Sequence, residues 1–254
     1  MTNQVSINQA TRPVKAIILS AGQGRRLLPL TENTPKCLLP VADKPVLAWQ
    51  IDALLAVGVS DITIITGFQV ALIEQLLQQQ YARYPQIKIL FNPFYEVADN
   101  LASCWIARAE MTRDFLILNG DTVIEAALLD KVLNSPSAPI TLSVDFKDNY
   151  DADDMKVQLD VDGWVQQVSK IVPPAQVNAE SIGLIYFRGD GVHFFREAVE
   201  EALRHPAELK SWYLSIIDRL AKQHLVNACS VKGLRWCEID FIEDLSRASI
   251  IFSQ

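Results

Sequence analysis

The amino-acid sequence predicts an α/β fold: a mainly parallel open sheet flanked by helices, with a β-rich extension in the second half of the chain. Short apolar runs alternate with stretches of helical apolar spacing through the first half, the pattern of strands buried on both faces between crossover helices. From Ile140 onward three strand-like runs then follow one another with no helix between them, which marks a change of architecture.

Taken in order, Lys15 to Ser20 (KAIILS) is a short apolar strand that opens onto Ala21-Gly22-Gln23-Gly24. Val46 to Val57 has helical spacing and stops at Gly58, a residue that favours helix ends. Asp61 to Thr66 (DITIIT) reads as strand, Val70 to Tyr84 as helix and Ile87 to Phe91 as strand. Asn100 to Met111 is helical, and Phe115 to Leu118 is a further apolar strand with Asn119-Gly120-Asp121 just past its end. In the second half Ile140 to Phe146, Lys156 to Asp160 and Trp164 to Ser169 are strands, the last two joined at Asp162-Gly163, a tight-hairpin signal. Ser181 to Phe187 and Leu225 to Ser230 are strands, and Val192 to Leu203, Ser211 to Lys222 and Phe241 to Ile251 are helices. With no internal repeat, low-complexity tract or linker, residues 14–254 read as one domain behind a flexible tail, 1–13.

A net charge of −7 argues against general affinity for nucleic acid, which needs a basic surface. Any anionic substrate must be held by locally placed cations. Cys37, Cys104, Cys229 and Cys237 form no C-x-x-C pair, so reduced thiols and a cytoplasmic location are expected. No apolar run approaches the ~20 residues that span a bilayer, and the polar start lacks a signal-peptide core. Nothing in the pattern bears on oligomeric state.

Gly22 and Gly24 directly after the first strand do not make a dinucleotide fingerprint. Leu27 stands where its third glycine would be, and Pro29 falls where the phosphate-binding helix should start. No G-K-[ST] completes a Walker loop either. What remains is a glycine loop with Arg25 and Arg26, followed by Pro29-Leu30-Thr31 and Thr34-Pro35-Lys36. Such a loop offers backbone N–H groups and cations to a polyphosphate: glycine permits close approach, Arg25 can fork onto phosphate oxygens and Lys36 supplies a point charge. The alternative for each residue alone is a solvated loop.

The string Ile18 to Leu27, with Pro29-Leu30-Thr31 and Pro35-Lys36, resembles the signature of sugar-1-phosphate nucleotidyltransferases and bacterial phosphocholine cytidylyltransferases. That signature usually has a small residue where Arg26 stands. The resemblance implies a Rossmann-like sheet of the nucleotide-diphospho-sugar transferase type, a nucleotide-binding half over about 14–135 and an acceptor-binding half over about 136–254. It also implies Mg²⁺, an NTP with CTP favoured, and a small phosphorylated acceptor. Its nucleotide contacts fall on Leu19, Ala21, Gly22, Gly24, Arg25, Gly67, Asn100 and Ser103.

Asp121 lies beyond the carboxyl end of an apolar strand, where open α/β sheets bind ligands. In Trp236-Cys237-Glu238-Ile239-Asp240, strand alternation sends Glu238 and Asp240 to one side. Carboxylates suit Mg²⁺, a hard cation that takes oxygen donors. The resemblance assigns Asp121 and Asp240 as the metal ligands. The structural alternatives are a turn residue for Asp121 and a helix cap for Asp240 or Glu243, with Glu243 and Asp244 read as capping and dipole residues.

Acceptor contacts are expected in the β-rich half, at Lys156, Lys170 and Glu180. Both lysines fall on predicted strands, whose period does not say which points inward; the resemblance ranks Lys170 first. Asn92-Pro93 and Asp99 to Ser103 resemble a stretch of the phosphocholine branch, which has asparagine where this chain has Asp99. Asn100 and Ser103 can each bond a ligand or cap the helix that begins there. Tyr95, Trp105, Trp164, Trp212, Tyr213 and Trp236 are candidates for a quaternary-ammonium cage, and Asp99, Asp153 and Asp154 for holding an amine. The acceptor stays open between phosphocholine or another amino-alcohol phosphate, a phosphonate, and a sugar or polyol phosphate. The expected chemistry is direct in-line attack of the acceptor phosphate on the NTP α-phosphorus, with Arg25, Lys36 and Asp121 as the catalytic set.

Overall fold

The computed structural model describes residues 14–253, so the tail expected over 1–13 lies outside the described residues. In chain order the elements are β1 (Lys15–Ser20), β2 (Pro40–Val41), β3 (Lys44–Pro45), α1 (Val46–Ala56), β4 (Asp61–Thr66), α2 (Val70–Gln80) and β5 (Ile87–Phe91). There follow α3 (Asn100–Ala107), β6 (Phe115–Asn119), β7 (Thr122–Ile124), α4 (Ala126–Leu133), β8 (Ile140–Asp145), β9 (Lys156–Leu159) and β10 (Val165–Ser169). The chain closes with β11 (Ala179–Phe187), α5 (Asp190–Ala202), α6 (Leu214–Ala221), β12 (Val226–Ser230), β13 (Trp236–Glu238) and α7 (Ile242–Phe252).

One nine-stranded sheet runs through both halves. Strands β5, β4, β1 and β6 are parallel neighbours, and β11 joins antiparallel to β6. On its other edge β11 pairs with β8, which carries β12 in parallel. The sheet is thus mainly parallel, as the apolar runs predict, with one reversed strand joining the halves. Its central strands are apolar on both sides because each side is covered. Ile17 and Ile117 pack with Phe115, Phe187 and Phe195 under α3, α5 and α6, while Ile18, Leu116 and Leu118 pack on the α1, α2 and α4 side.

Near the carboxyl end of β6 the sheet forks. β11 shifts register between Ser181 and Ile185, where Gly183 has φ +74° and a side chain would strike Asn119. Past that kink, Ala179 and Glu180 leave β6 and pair with Val157 and Lys156 of β9. The β9–β10 hairpin forms as predicted, although its turn runs over Asp160 to Trp164, with Gly163 at φ +83°, and is longer than a two-residue loop. Lys170 lies one residue past β10 and not on it.

A second, small sheet pairs β7 with β13 antiparallel. The short strand expected at Trp236 to Asp240 is β13, whereas β7 and α4 are absent from the sequence reading, because β7 is only three residues long and lies directly behind the Asn119-Gly120-Asp121 turn. Together with α7, β7 and β13 enclose a third core of Leu27, Val41, Val123, Cys237, Ile239 and Phe252. Leu27 is the inward residue of the short 3₁₀ turn Arg25–Leu27, so this core anchors the glycine loop as well.

Phe115 and Phe187 stack at 4.5 Å, and Phe195 lies 4.4 Å from Phe187, across the junction of the halves. Phe115→Ala is expected to destabilise the fold by about 3–5 kcal/mol, as full burial of a ring requires. A urea titration checks it: the midpoint falls and the slope is unchanged.

Candidate active site

The glycine loop is closed on itself. Gly24 takes φ +79°, its carbonyl accepts from Thr31 Oγ1 at 2.8 Å, and Gln23 Nε2 donates to the Thr31 carbonyl at 3.1 Å. A side chain at Gly24 would strike Lys36, which packs against it. Lys36 begins the next 3₁₀ turn, Lys36–Leu38, and its ammonium turns inward to Asp121 Oδ2 and Asp240 Oδ1, 2.7 Å from each.

The two aspartates meet because β7 and β13 pair. Thr122 lies opposite Glu238, and Ile239 N donates to the Asp121 carbonyl at 3.0 Å. Carboxylate oxygens of Asp121, Glu238 and Asp240 come within 4.8 Å of one another. Asp244 caps α7 and fixes this turn, accepting from Asp240 N at 2.8 Å and Phe241 N at 2.7 Å. Asp240 itself is therefore not the cap, and Asp244 fills the capping role foreseen for that pair.

Burial works to raise the Asp240 carboxyl, but the ammonium of Lys36 and the guanidinium of Arg26 outweigh it and hold the group below its ordinary value. For Glu238 the balance is reversed: burial together with the charges of Asp121 and Asp240 outweighs the charge of Lys36 and pushes the carboxyl up. Lys36 loses some basicity to burial, yet the two aspartates more than restore it, so it stays charged.

The chemistry of the donor set fits a hard divalent cation. Three carboxylates converge, and Asp121 Oδ1 is buried without a hydrogen-bond partner. Glu238 was legible as the neighbour of Asp240 on one strand face, but nothing in the spacing separates it from an ordinary surface acid.

Two cavities adjoin the cluster. The smaller, of about 340 Å³, is lined by Leu19, Gly22, Gly24, Lys36, Asn100 and Asp121 among others. The larger, of about 590 Å³, is bordered by Lys147, Asp153, Glu180, Glu238, Asp240 and Phe241 among others. Ala21 and Gly67 lie under the loop: Phe68 N donates to the Ala21 carbonyl, and any side chain at Gly67 would strike Ala21 and Tyr95. Arg25 is exposed and makes no side-chain hydrogen bond or ion pair among the described residues. Arg26 borders the smaller cavity, reaching Asp240 at 2.9 Å and Asp153 at 3.6 Å with its guanidinium over the Phe241 ring.

Neither Asn100 nor Ser103 caps α3, whose N-cap is Asp99 without a side-chain bond. Asn100 Oδ1 accepts from Tyr213 N at 2.9 Å, and Ser103 is buried against Asn92 Nδ2 at 3.1 Å. The two acceptor lysines differ. Lys156 is buried, and its ammonium donates to the main-chain carbonyls of Asp151, Asp154 and Lys170, so it staples that loop. Lys170 stands over the Trp212 ring with Asp153 at 3.5 Å. Of the aromatic residues weighed as a cage, Trp236 borders the larger cavity, whereas Trp164 stacks on His224 and Trp105 lies under Arg108.

Residues 15–249 match the sequence profile of the family described as nucleotidyl transferase, and the chain belongs to that family. It is 28% identical over 253 residues to CMP-5'-(3-aminopropyl)phosphonate synthase of Streptomyces rubellomurinus, a match covering 95% of this chain and 39% of that protein. It is 40% identical over 106 residues to choline-phosphate cytidylyltransferase of Streptococcus pneumoniae, covering 41% of this chain and 43% of the other. The matches therefore span less than half the length of these two relatives. The solved structure of CTP:phosphocholine cytidylyltransferase from Streptococcus pneumoniae superposes with a TM-score of 0.77 at 24% identity, covering 94% of this chain and 98% of the other, which shows a shared fold. Among the described residues no helix is long and apolar enough to cross a membrane.

Glu180 is 3% exposed, and burial pushes its carboxyl from 4.5 up to about 7, with Lys147 opposing and Asp154 and Asp145 adding to the rise. The folded chain thus binds an extra proton between those two values, and this group's contribution to stability falls as pH rises across that window. Glu180→Gln is expected to melt higher than the parent at about pH 8 and level with it near pH 4, the limits set by linkage. Thermal melts at the two pH values check the sign.

Proposed function

We propose that the chain is a Mg²⁺-dependent cytidylyltransferase that moves CMP from CTP to a small phosphorylated acceptor of the phosphocholine kind and releases pyrophosphate. The observation that carries this reading is the Lys36–Asp121–Asp240 cluster, with Glu238 beside it, set between a glycine-loop cavity and a separate acidic one. Membership of the family supports transfer of a nucleotidyl group, and the cytidylyl names of the relatives support CTP.

An acceptor phosphate oxygen attacks the α-phosphorus of CTP. The new P–O bond forms as the bond to the β-phosphate bridging oxygen breaks, and pyrophosphate leaves with that electron pair. The acceptor is already a nucleophile near neutral pH, so the protein's task is alignment and charge neutralisation. Gly22 and Gly24 allow the main chain to approach the triphosphate, Lys36 holds phosphate oxygens, and Arg25 and Arg26 reach the same charge from the loop's outer wall. Asp121, Glu238 and Asp240 would hold Mg²⁺, which when bound neutralises charge on the reacting phosphates. Lys170, set among Asp153 and Trp212, is the cation offered to the acceptor phosphate, and Lys156 positions the loop beneath.

Asp121→Asn keeps the size of the side chain but removes its charge, and it is expected to lower kcat by about 10²-fold or more, the scale for losing one electrostatic contact to the transition state. Pyrophosphate release with CTP is the assay, and unchanged turnover would rule out the metal role. In the same assay CTP should outperform UTP, GTP and dTTP; equal rates with all four would remove the cytidylyl preference.

A further inference from the structure

We propose that the acceptor carries, besides its phosphate or phosphonate, an ammonium group bearing N–H hydrogens, and that Glu180 in the acidic wall of the larger cavity holds it. The inference rests on the nucleotidyl-transfer reading above and goes further in naming the acceptor's other end. Seven carboxylates border the larger cavity against two cations, Lys147 and Arg247. Several of these acids are already engaged. Asp244 caps α7 and pairs with Arg247 at 2.8 Å, Glu238 and Asp240 belong to the cluster with Asp121, and Asp153 faces Arg26 and Lys170.

Asp154 accepts from Asp151 N at 2.7 Å, which leaves Asp151 and Glu180. Lys147 reaches Glu180 Oε2 at 2.6 Å and is shared with Asp154 at 3.2 Å. Lys156 lies under the same loop, its ammonium taken by main-chain carbonyls. Glu180 Oε1 is buried and accepts no hydrogen bond, in a side chain that is otherwise almost wholly enclosed. A buried carboxylate oxygen without a donor is expensive to keep, and it is a place where a ligand's N–H or O–H gains most. Burial, with Asp154 and Asp145 adding, raises the Glu180 carboxyl to about 7 despite Lys147, so the group lacks the donors that would favour its charged form.

Three acceptor chemistries compete for this wall. A quaternary ammonium has no N–H to give Glu180 and depends on aromatic faces. Here the Phe241 ring is covered by Arg26, leaving Trp236, whose indole N–H is bound to Asp145 at 2.7 Å. A sugar or polyol can donate O–H, but it brings no charge to a wall with excess carboxylates. A primary ammonium supplies both the donor and the charge, and charge-assisted hydrogen bonds are the strong ones.

The test compares 2-aminoethyl phosphate, phosphocholine and inositol 1-phosphate as acceptors for the full chain with CTP and Mg²⁺. Binding of each is also measured by calorimetry with an unreactive methylene analogue of CTP present. The expected result is that 2-aminoethyl phosphate exceeds both others in kcat/KM and in affinity by about tenfold or more, since a site built to bond an N–H rejects analogues lacking it. Glu180→Gln should remove most of that preference while leaving KM for CTP unchanged, and Asp154→Asn should move it the same way if the first variant folds poorly. Equal or better use of phosphocholine or inositol phosphate overturns the proposal, as does a Glu180→Gln loss shared by all three acceptors. Absence of CMP transfer to every acceptor, with the binding order still as expected, would instead overturn the cytidylyl reading and leave the ammonium site standing.

Discussion

The ammonium of Lys36, held between Asp121 and Asp240, ties together three stretches of chain that sequence separates by most of its length. Asp121 stands just before β7 and Asp240 just past β13, and these two paired strands lie outside the main sheet. Without a cation between them, two half-buried carboxylates so close would repel and resist ionisation, and Glu238 nearby shows that penalty as a raised carboxyl. Lys36 removes the penalty from Asp240 and takes its own position from packing against Gly24. The glycine loop, the carboxylate cluster and the closing helix α7 are therefore set by one another.

The fork in the sheet makes room for this. The kink at Gly183 allows β11 to pair with β6 over Leu184 to Phe187 and with β9 at Ala179 and Glu180. Glu180 lies on the diverging end of β11, and Asp121 just past the end of β6. The third core, with Leu27 and Ile239 in common, fastens the loop and the β7–β13 pair to the rigid α/β body. Reactive groups are thus carried on turns, while the turns are pinned by buried aliphatic side chains, which is how a site on loops keeps its geometry.

Much of this was legible in the sequence, and the limits have physical causes. The parallel strands announced themselves as apolar runs, because burial on both faces removes polar alternation. Asp121 was readable from its place past β6, and Lys36 from its place in the loop. What could not be read was which side chain of a consecutive pair turns inward. In Arg25-Arg26 the turn sends Arg26 to the acids and leaves Arg25 in solvent, and that depends on Leu27 seeking the third core. Lys156 and Lys170 were indistinguishable by strand period, yet one staples main-chain carbonyls and the other stands beside Asp153. Asn100 and Ser103 could each cap the helix or bond a ligand by sequence; neither caps it, and tertiary partners, Tyr213 and Asn92, engage them.

On the proposed function, an acidic chain that handles polyphosphate must solve an electrostatic problem locally, and segregation of charge is how this fold would do it. Lys36 and Arg26 line the cavity beside the glycine loop, while seven carboxylates border the other, among them Glu180 with one buried oxygen unbonded. Such a division is costly to the fold, because buried like charges oppose folding, and Glu180 and Glu238 both record that opposition in raised carboxyls. Structure retained at the expense of stability points to selection for binding and not for packing. A molecule with an anionic end and a cationic end would meet complementary charge along this boundary, and only one of its two orientations would bring its phosphate to the carboxylate cluster and Lys36. Orientation of the acceptor, on this argument, follows from the same separation of charge that makes the site unfavourable when empty.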